Sequence, residues 1–384
     1  LAPLTCLTLL KISSRWHKYS RIVFLFINAL LTIYAVFTAL RVALRADDPA
    51  TPAGIRNGLS MSLALLMVVL PTFMLLALHY AGVLVKIRKG GYLRSLTGTA
   101  LALWGVVLLL CLGGTLIGRN NITTERVEIS IPSLRSDLEG FTIVHISDLH
   151  LGGFYRREKR ILETADIING LKPDIIVNTG DFITLGHLEF GRFDTLLATM
   201  RSRYGNFAIL GNHDSGTYLH GADAHMTMMT TWLVSDLIEA SGYTLLNRCN
   251  IILSVGNSRV AIIGAETGGK HPDIVHPDLT EAVKGTIDAD LRILLTHDPN
   301  HWEEVTEDYP GIELTLAGHT HGMQIGYIGR KRKWSPSQYS YQRWHGLYRK
   351  EDMQLYVNRG LGVIGLPLRI GMPPEITVIT LRGE

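Results

Sequence analysis

The sequence predicts a chain of two parts, a helical membrane region over residues 1–120 and a layered α/β domain over residues 121–384. Two observations predict the first part. Only 18% of the residues are charged, whereas a typical soluble domain has about 25%, and three long uncharged apolar runs precede residue 120. A third observation predicts the second part, because short apolar runs alternate with helical stretches after residue 120.

The apolar runs cover residues 22–40, 59–85 and 99–118. None contains Asp, Glu, Lys or Arg, and each reaches the roughly 20 residues that a helix needs to cross a bilayer. We therefore expect three transmembrane helices. The first run could instead be a signal peptide, but it is long and no small-residue cleavage site follows it cleanly.

The basic residues in the flanks set the expected orientation. Four lie before the first run and four between the second and third runs, against three between the first and second. We expect an integral protein of a bacterial cytoplasmic membrane. Because the more basic side is normally cytoplasmic, the α/β domain is expected on the extracytoplasmic face.

The α/β domain opens with a strand, a helix and a second strand. The run FTIVHI at 141–146 is typical of a buried strand, residues 155–172 carry apolar side chains at helical spacing, and DIIVN follows at 174–178. Further strands are predicted at 206–210, 260–263, 292–295 and 312–316. This alternation is typical of layered α/β folds.

Side chains of the kind that bind metals follow five of these strands. They occur in Ser147-Asp148-Leu149-His150, Gly180-Asp181, Gly211-Asn212-His213-Asp214, Thr296-His297-Asp298 and Gly318-His319-Thr320-His321-Gly322. Ligands in open α/β sheets collect at the carboxyl ends of the strands. One Asp-x-His motif alone would be weak evidence for a metal site, but five such groups at five strand ends predict a shared site.

The candidate ligands indicate the kind of site. They are Asp148, His150, Asp181, Asn212, His297, His319 and His321. Carboxylate, imidazole and amide groups without thiolates suit Mn, Fe, Zn or Co and argue against a structural zinc cage. Seven ligands exceed the number that one ion normally takes from a protein, so we expect two divalent ions, with Mn²⁺ first and Fe, Zn or Co as alternatives. Two ions about 3.5–4 Å apart can clamp the oxygens of an in-line displacement at phosphorus.

Charge and cysteine content exclude two other classes of site. The formal net charge of +3 is too small to argue for nucleic acid. The three cysteines, Cys6, Cys111 and Cys249, do not form a zinc pattern.

The motifs D-L-H, G-D, G-N-H-D, T-H-D and G-H-T-H resemble those of the calcineurin-like metallophosphoesterase superfamily, over about residues 141–384. GHTHGMQ at 318–324 and the tail from Arg359 to Ile376 resemble the membrane-anchored branch of YkuE-, YaeI- and LpxG-like proteins. That branch usually has Gly where Met323 stands. The resemblance implies a four-layer α/β/β/α sandwich.

The resemblance also implies roles for the residues. Asp148, His150 and His321 would hold one ion, Asn212, His297 and His319 the other, and Asp181 would bridge them. His213 would contact the phosphate and protonate the leaving oxygen, with Asp214 orienting its ring. Arg359 and Arg369 are predicted to contact either the phosphate or the protein itself.

The other histidines are predicted to have no part in the chemistry. His145 lies inside the first strand and is expected to pack in the core. A solvated position is expected for His187, His220, His225, His271, His276 and His301. Asp298 either orients the ring of His297 or forms a turn before Pro299.

The segment 329–350 interleaves seven basic residues with five aromatic residues just after the last ligands. Such a mixture suits a phosphate-rich membrane interface. A solvated loop with aromatics packed inward is a second interpretation, and a grip on single-stranded nucleic acid is a third.

These observations predict a membrane-bound enzyme that hydrolyses a phosphodiester or pyrophosphate of an amphiphile. Its expected partners are a phospholipid or lipid-linked substrate and the bilayer, with no obligate protein partner and no nucleic acid. The alternatives are a broad-specificity phosphodiesterase or nuclease with a soluble substrate, and a non-catalytic sensor or scaffold. A missing ligand would indicate the last of these, and all seven are present.

Overall fold

The computed structural model describes residues 51–67, 90–270, 273–330 and 332–384 and part of residues 19–40. The helices described are α1 (Ala29–Thr38), α2 (52–67), α3 (Gly90–Leu116), α4 (Lys159–Leu171), α5 (Phe193–Leu197), α6 (Ala224–Ala240) and α7 (His301–Asp308). The strands described are β1 (Thr123–Ile131), β2 (Thr142–Ile146), β3 (Ile175–Asn178), β4 (Gly205–Ala208), β5 (Thr244–Leu245), β6 (Cys249–Val255), β7 (Ser258–Ala265), β8 (Gly268–Lys270), β9 (Asp273–Val275), β10 (Leu291–Thr296), β11 (Leu314–Ala317), β12 (Tyr327–Ile328), β13 (Lys333–Trp334), β14 (Gly346–Lys350), β15 (Met353–Val357) and β16 (Glu375–Gly383).

Two six-stranded mixed sheets form the centre of the α/β domain. Their strand orders are β1-β16-β2-β3-β4-β5 and β14-β15-β11-β10-β7-β6. Strands β2, β3 and β4 are parallel to one another, as are β7, β10, β11 and β15. The carboxyl ends of these strands therefore gather where the ligand motifs follow them. The predicted α/β domain is confirmed, and its two sheets are mixed.

The side chains of each sheet alternate between two cores, as the two-residue period of a strand requires. In the first sheet, Ile143 and Ile175 face the second sheet, whereas Val144 and Ile176 pack against α4, α5 and α6. In the second sheet, Leu294 packs on its outer face against α7. The order of layers is thus helix, sheet, sheet, helix.

The N-terminal region gives only partial support to the three predicted spans. In the part of the chain that the structure describes, one helix is long and apolar enough to cross a membrane, Ala102–Asn120 within and just after α3. Most of its apolar side chains are exposed, among them Leu109 and Leu116. The predicted span at 22–40 is represented by the shorter apolar helix α1. The predicted span at 59–85 lies outside the described residues from position 68 onward.

The end of α3 is packed directly onto the α/β domain. The backbone N–H of Arg369 donates to the carbonyl of Gly114 at 3.1 Å. At Gly118, a Cβ atom would lie 1.9 Å from the carbonyl oxygen of Arg369. Glycine is therefore required at this contact, and the apolar helix is attached to the domain by close backbone packing.

Candidate metal centre

All seven predicted ligands lie together at the carboxyl ends of β2, β3, β4, β10 and β11. Six are buried and His319 is half-buried. Five of them are held in the left-handed region of backbone space, with positive φ at Asp148, His150, Asp181, His319 and His321. That conformation costs an L-residue about 1–2 kcal/mol. Such strain persists where the surrounding structure enforces it, typically at functional sites.

One group of ligands consists of Asp148, His150 and His321, whose ligand atoms all lie within 4.8 Å of one another. His150 Nε2 and His321 Nε2 are 3.1 Å apart, and His321 Nε2 is 3.3 Å from Asp148 Oδ1. Burial lowers the pKa of His150 to about 3. The ring is therefore neutral at ordinary pH and can offer a lone pair to a cation.

The second group consists of Asp181, His297 and His319, again within 4.8 Å of one another. Asn212 Oδ1 and His319 Nδ1 are buried, and no described group hydrogen-bonds to either atom. A buried acceptor without a partner is costly unless something compensates it. These unpaired atoms fit a cation held by Asp181, Asn212, His297 and His319.

The carboxylate of Asp181 lies between the two groups. Its Oδ1 accepts the backbone N–H of His213 at 2.9 Å. Its Oδ2 is 3.7 Å from His150 Nε2 and 3.1 Å from His297 Nε2. One carboxylate oxygen therefore faces ligands of both groups, as a bridge between two ions requires.

The electrostatics of the centre favour positive charge. Burial and the neighbouring charge of Asp181 raise the pKa of Asp148 to about 6. Burial alone would lower the pKa of His297, but the carboxylates of Asp181 and Asp148 outweigh it and raise the pKa to about 10. The field that holds a proton on His297 would equally favour a divalent cation. The two ligand groups and their charge together fit a pair of divalent cations.

Groups behind the ligands orient their rings. His150 Nδ1 donates to the carbonyl of Ile183 at 3.1 Å, and His297 Nδ1 donates to that of Thr179 at 2.6 Å. Both rings thus present Nε2 to the centre. His319 is held from the other side, because its Nε2 lies 2.8 Å from the hydroxyl of Tyr341. Tyr341 belongs to the basic aromatic segment, and its contact with a ligand was not predicted.

The predicted acid His213 lies beside the centre, but the group that holds its ring differs from the prediction. The Nδ1 atom lies 2.7 Å from the carbonyl of Thr184. Asp214 does not orient this ring. Its carboxylate instead accepts four backbone N–H groups, from Gly211, Asp181, Phe182 and Ile183. Asp214 therefore fixes the loops that carry the ligands.

Tyr218 contacts two of the predicted site residues, although it was not among the predictions. Its ring stacks on that of His213, with centroids 4.0 Å apart and 12° between the planes. Its hydroxyl accepts Asn212 Nδ2 at 2.8 Å. That bond fixes the amide so that Oδ1 remains free for a cation. The only sequence signal is an aromatic residue six positions after Asn212.

Arg359 and Arg369 are both about 1% exposed. Their contacts favour the predicted role in holding the protein together over contact with the phosphate. Arg359 Nε lies 2.6 Å from Glu375 Oε2, and its Nη2 lies 2.7 Å from Glu125 Oε1. Arg369 donates to the carbonyls of Arg359, Gly360, Gly362 and Met372. Its Nη2 is also 3.3 Å from His321 Nδ1, so it holds the tail against the ligand loop.

The remaining histidines follow the predictions only in part. His145 is buried in β2, as expected, with Nε2 3.0 Å from the hydroxyl of Thr179. His220 and His225 are exposed and His187 is half-buried, whereas His271 lies outside the described residues. The prediction of a solvated position is wrong for His276 and His301, which stack with centroids 4.8 Å apart and lie largely buried.

Asp298 does not orient the ring of His297. It lies 3.4 Å from His276 Nε2, and its Oδ1 accepts the backbone N–H of Asn300 at 2.8 Å. This agrees with the second of its two predicted roles, the turn before Pro299.

The segment 329–350 divides into two parts. Tyr341 and Trp344 are buried, as the interpretation with aromatics packed inward predicts. Trp334 and Tyr339 are exposed, at 46% and 78%. Met323, just before this segment, is half-exposed and has a φ of 45°, a backbone conformation that glycine adopts without cost.

The calcineurin-like phosphoesterase family matches residues 141–323. The uncharacterized metallophosphoesterase YkuE of Bacillus subtilis is 35% identical over 270 residues, which cover 68% of this chain and 85% of that protein. The uncharacterized metallophosphoesterase Cj0846 of Campylobacter jejuni is 29% identical over 273 residues, 68% of this chain and 63% of that protein.

A protein of Danio rerio named transmembrane protein with metallophosphoesterase domain is 27% identical over 270 residues, 67% of this chain and 56% of that protein. This chain thus spans little more than half the length of the zebrafish relative. The similarity to YkuE over most of that protein, together with the assembled ligand groups, shows that this chain belongs to the calcineurin-like metallophosphoesterase family and is a metal-dependent phosphoesterase.

Proposed function

We propose that this chain is a membrane-bound phosphohydrolase that cleaves a phosphodiester or pyrophosphate bond of an amphiphile, with Mn²⁺ as the expected metal. The position of Asp181 Oδ2 between the two ligand groups carries the proposal. A shared carboxylate supports a pair of ions, and paired ions suit displacement at phosphorus. When bound, the ions would act as Lewis acids on the phosphoryl group.

His213 is the proposed proton donor to the leaving oxygen. The Nδ1–H group of His213 donates to the carbonyl of Thr184 at 2.7 Å. Nε2 is then the nitrogen available to the substrate. The face of Tyr218 and the ring of His150, whose centroid is 5.2 Å away, limit rotation of His213.

A leaving-group comparison tests this role. We expect His213→Ala to lower kcat by about 10²–10⁴-fold on a diester with an alkoxide leaving group, because a general acid typically accelerates a reaction by this factor. The loss should be small for p-nitrophenolate, which leaves without a proton. Asp181→Asn is the matched control, because loss of the bridge should abolish hydrolysis of both substrates. An equal loss in His213→Ala on both substrates would contradict the assignment.

Two surfaces support a position at the bilayer. The exposed apolar side of α3 continues into the domain through the contact at Gly118. The hairpin β12–β13 exposes Tyr327 at 61% and Trp334 at 46%. Aromatic residues of this kind are enriched at membrane interfaces. Ile325, just before the hairpin, packs in the same apolar cluster as residues of α3, so the hairpin begins beside this helix.

Substrate dependence tests the lipid assignment. The full chain in detergent with Mn²⁺ should hydrolyse a lipid-linked diester or pyrophosphate with a higher kcat/KM than a short-chain soluble diester. Equal values would instead support the broad-specificity enzyme with a soluble substrate. A topology reporter fused after Glu384 tests the proposed extracytoplasmic position, since an alkaline phosphatase fusion is active only on that side.

A further inference from the structure

A small cavity lies where the end of α3 meets the α/β domain. It is open to solvent rather than enclosed, and its volume of about 180 Å³ includes part of that open space. Two arginines, Arg119 and Arg157, line it together with Phe154, Leu361 and Val363. The cavity therefore combines two cationic side chains with apolar walls.

The positive charge in this cavity has no acidic partner among the described residues. Arg119 donates to backbone carbonyls, from Nη1 to Pro367 at 3.3 Å and from Nη2 to Gly153 at 3.0 Å. Within the same described ranges, neither Arg119 nor Arg157 forms an ion pair with a carboxylate. Burial and the nearby charge of Arg160 lower the pKa of Arg157. Half-buried cations gain from an anion placed between them.

The surroundings add to this charge. Arg56 and Arg156 both lie over the ring of Tyr155, at 5.2 Å and 5.6 Å from its centroid. Arg56 belongs to α2, whose residue Ile55 packs beside Gly152. Four arginines from three segments thus lie in or beside the loop that follows His150. Arg119 itself is the penultimate residue of the apolar stretch 102–120, so in the proposed membrane position it would lie at the level of the lipid headgroups.

We propose that the cavity lined by Arg119 and Arg157 binds the phosphate of an anionic phospholipid. This inference rests on the membrane position that is part of the proposed function. The apolar walls suit the first carbons of the lipid, and the guanidinium groups suit phosphate oxygens, which they can contact through two N–H groups. The site is distinct from the metal centre. The two are linked by Gly362, whose N–H donates to the carbonyl of Asp148 at 2.8 Å.

Native mass spectrometry of the full chain in detergent can test the proposal. The probes are phosphatidylglycerol, a diacylglycerol with the same acyl chains, and inorganic phosphate. We expect one tightly bound phosphatidylglycerol and much weaker binding of the diacylglycerol. Arg157→Gln should weaken phosphatidylglycerol binding at least about fivefold, the effect of one basic residue at an anionic surface. Arg157→Lys should recover most of the affinity.

Arg157 is the better position to change, because Arg119 also holds two backbone carbonyls. Arg156→Gln is the matched control, since this exposed neighbour does not line the cavity, and it should weaken phosphatidylglycerol binding much less than Arg157→Gln does. The proposal would be overturned if the wild type bound phosphatidylglycerol and diacylglycerol equally well. It would also be overturned if Arg157→Gln bound phosphatidylglycerol as tightly as the wild type. Inorganic phosphate that binds as tightly as the lipid would assign the site to free phosphate instead. Asp181→Asn should still bind the lipid, so failure of hydrolysis and failure of this site are distinguishable.

Discussion

Replacement of Arg359 by methionine tests whether this arginine holds the fold or the substrate. Its partner Glu375 is fully buried, and removal of one member of a buried ion pair typically costs about 3–5 kcal/mol. Glu375 would keep the hydroxyl groups of Tyr356 and Thr377, each at 2.6 Å. We therefore expect the lower end, about 3 kcal/mol. For a domain of this size, that corresponds to a fall in Tm of roughly 6–12 °C.

Thermal unfolding of the detergent-solubilised chain measures this loss. Arg382→Met is the matched control, because Arg382 is 43% exposed and pairs with Glu128 and Glu139 at the surface. Such surface pairs contribute little to stability. The double variant Arg359→Met/Glu375→Gln should be less destabilised than the sum of the single variants. A wild-type Tm for Arg359→Met together with a raised KM would refute the structural role and return Arg359 to the substrate.

Two further substitutions test the packing at the end of α3 and the hydrogen bond that orients Asn212. Gly118→Leu should destabilise the chain by about 1–3 kcal/mol through overpacking against Arg369, measured as a lower Tm. Gly113→Leu, which has open space around it, should not, and equal Tm values would contradict the close contact. Tyr218→Phe keeps the ring on His213 but frees the Asn212 amide, so metal affinity by calorimetric titration should fall about tenfold or more. An unchanged affinity would show that this hydroxyl does not orient Asn212.

The strands that carry ligands could be predicted because their signals are local. Residues 141–146 and 174–178 are apolar runs that end directly before a ligand motif, and β2 and β3 occupy nearly the same positions. Strands β1 and β16 were not predicted, although Val127, Ile129 and Ile131 alternate with polar residues. These two strands pair across about 250 residues, Thr123 opposite Glu375. Nothing in either segment alone indicates that pairing.

The ligands could be predicted for the same reason, but the groups that orient them could not. The ring of His213 is held by a backbone carbonyl, and every residue has one, so the sequence gives no signal for Thr184. Asp214, adjacent in sequence, was the natural candidate, yet its oxygens satisfy N–H groups from two loops. Tyr341 reaches His319 from a distant loop. Burial of His276 likewise depends on how a loop packs onto α7.

The charge of the centre predicts that removal of metal changes how stability depends on pH. Without ions, the pKa of His297 is raised to about 10 from an unfolded value near 6.5. This group stabilises the metal-free fold fully below pH 6.5, and its contribution is lost as pH rises towards 10. Each proton accounts for at most about 1.4 kcal/mol per pH unit.

The metal-loaded chain should behave in the opposite way between pH 6 and 8. Ion binding requires a neutral His297 and ionised carboxylates, so the ions compete with protons and bind more tightly as pH rises. Ligand binding to the folded state alone raises the unfolding free energy. Thermal unfolding with chelator and with excess Mn²⁺ should therefore give Tm values that diverge as pH increases. His145→Gln is the control, since His145 is buried outside the ligand groups and should leave the divergence unchanged. If the two plots of Tm against pH, with chelator and with excess Mn²⁺, ran parallel, no cation would replace the proton on His297.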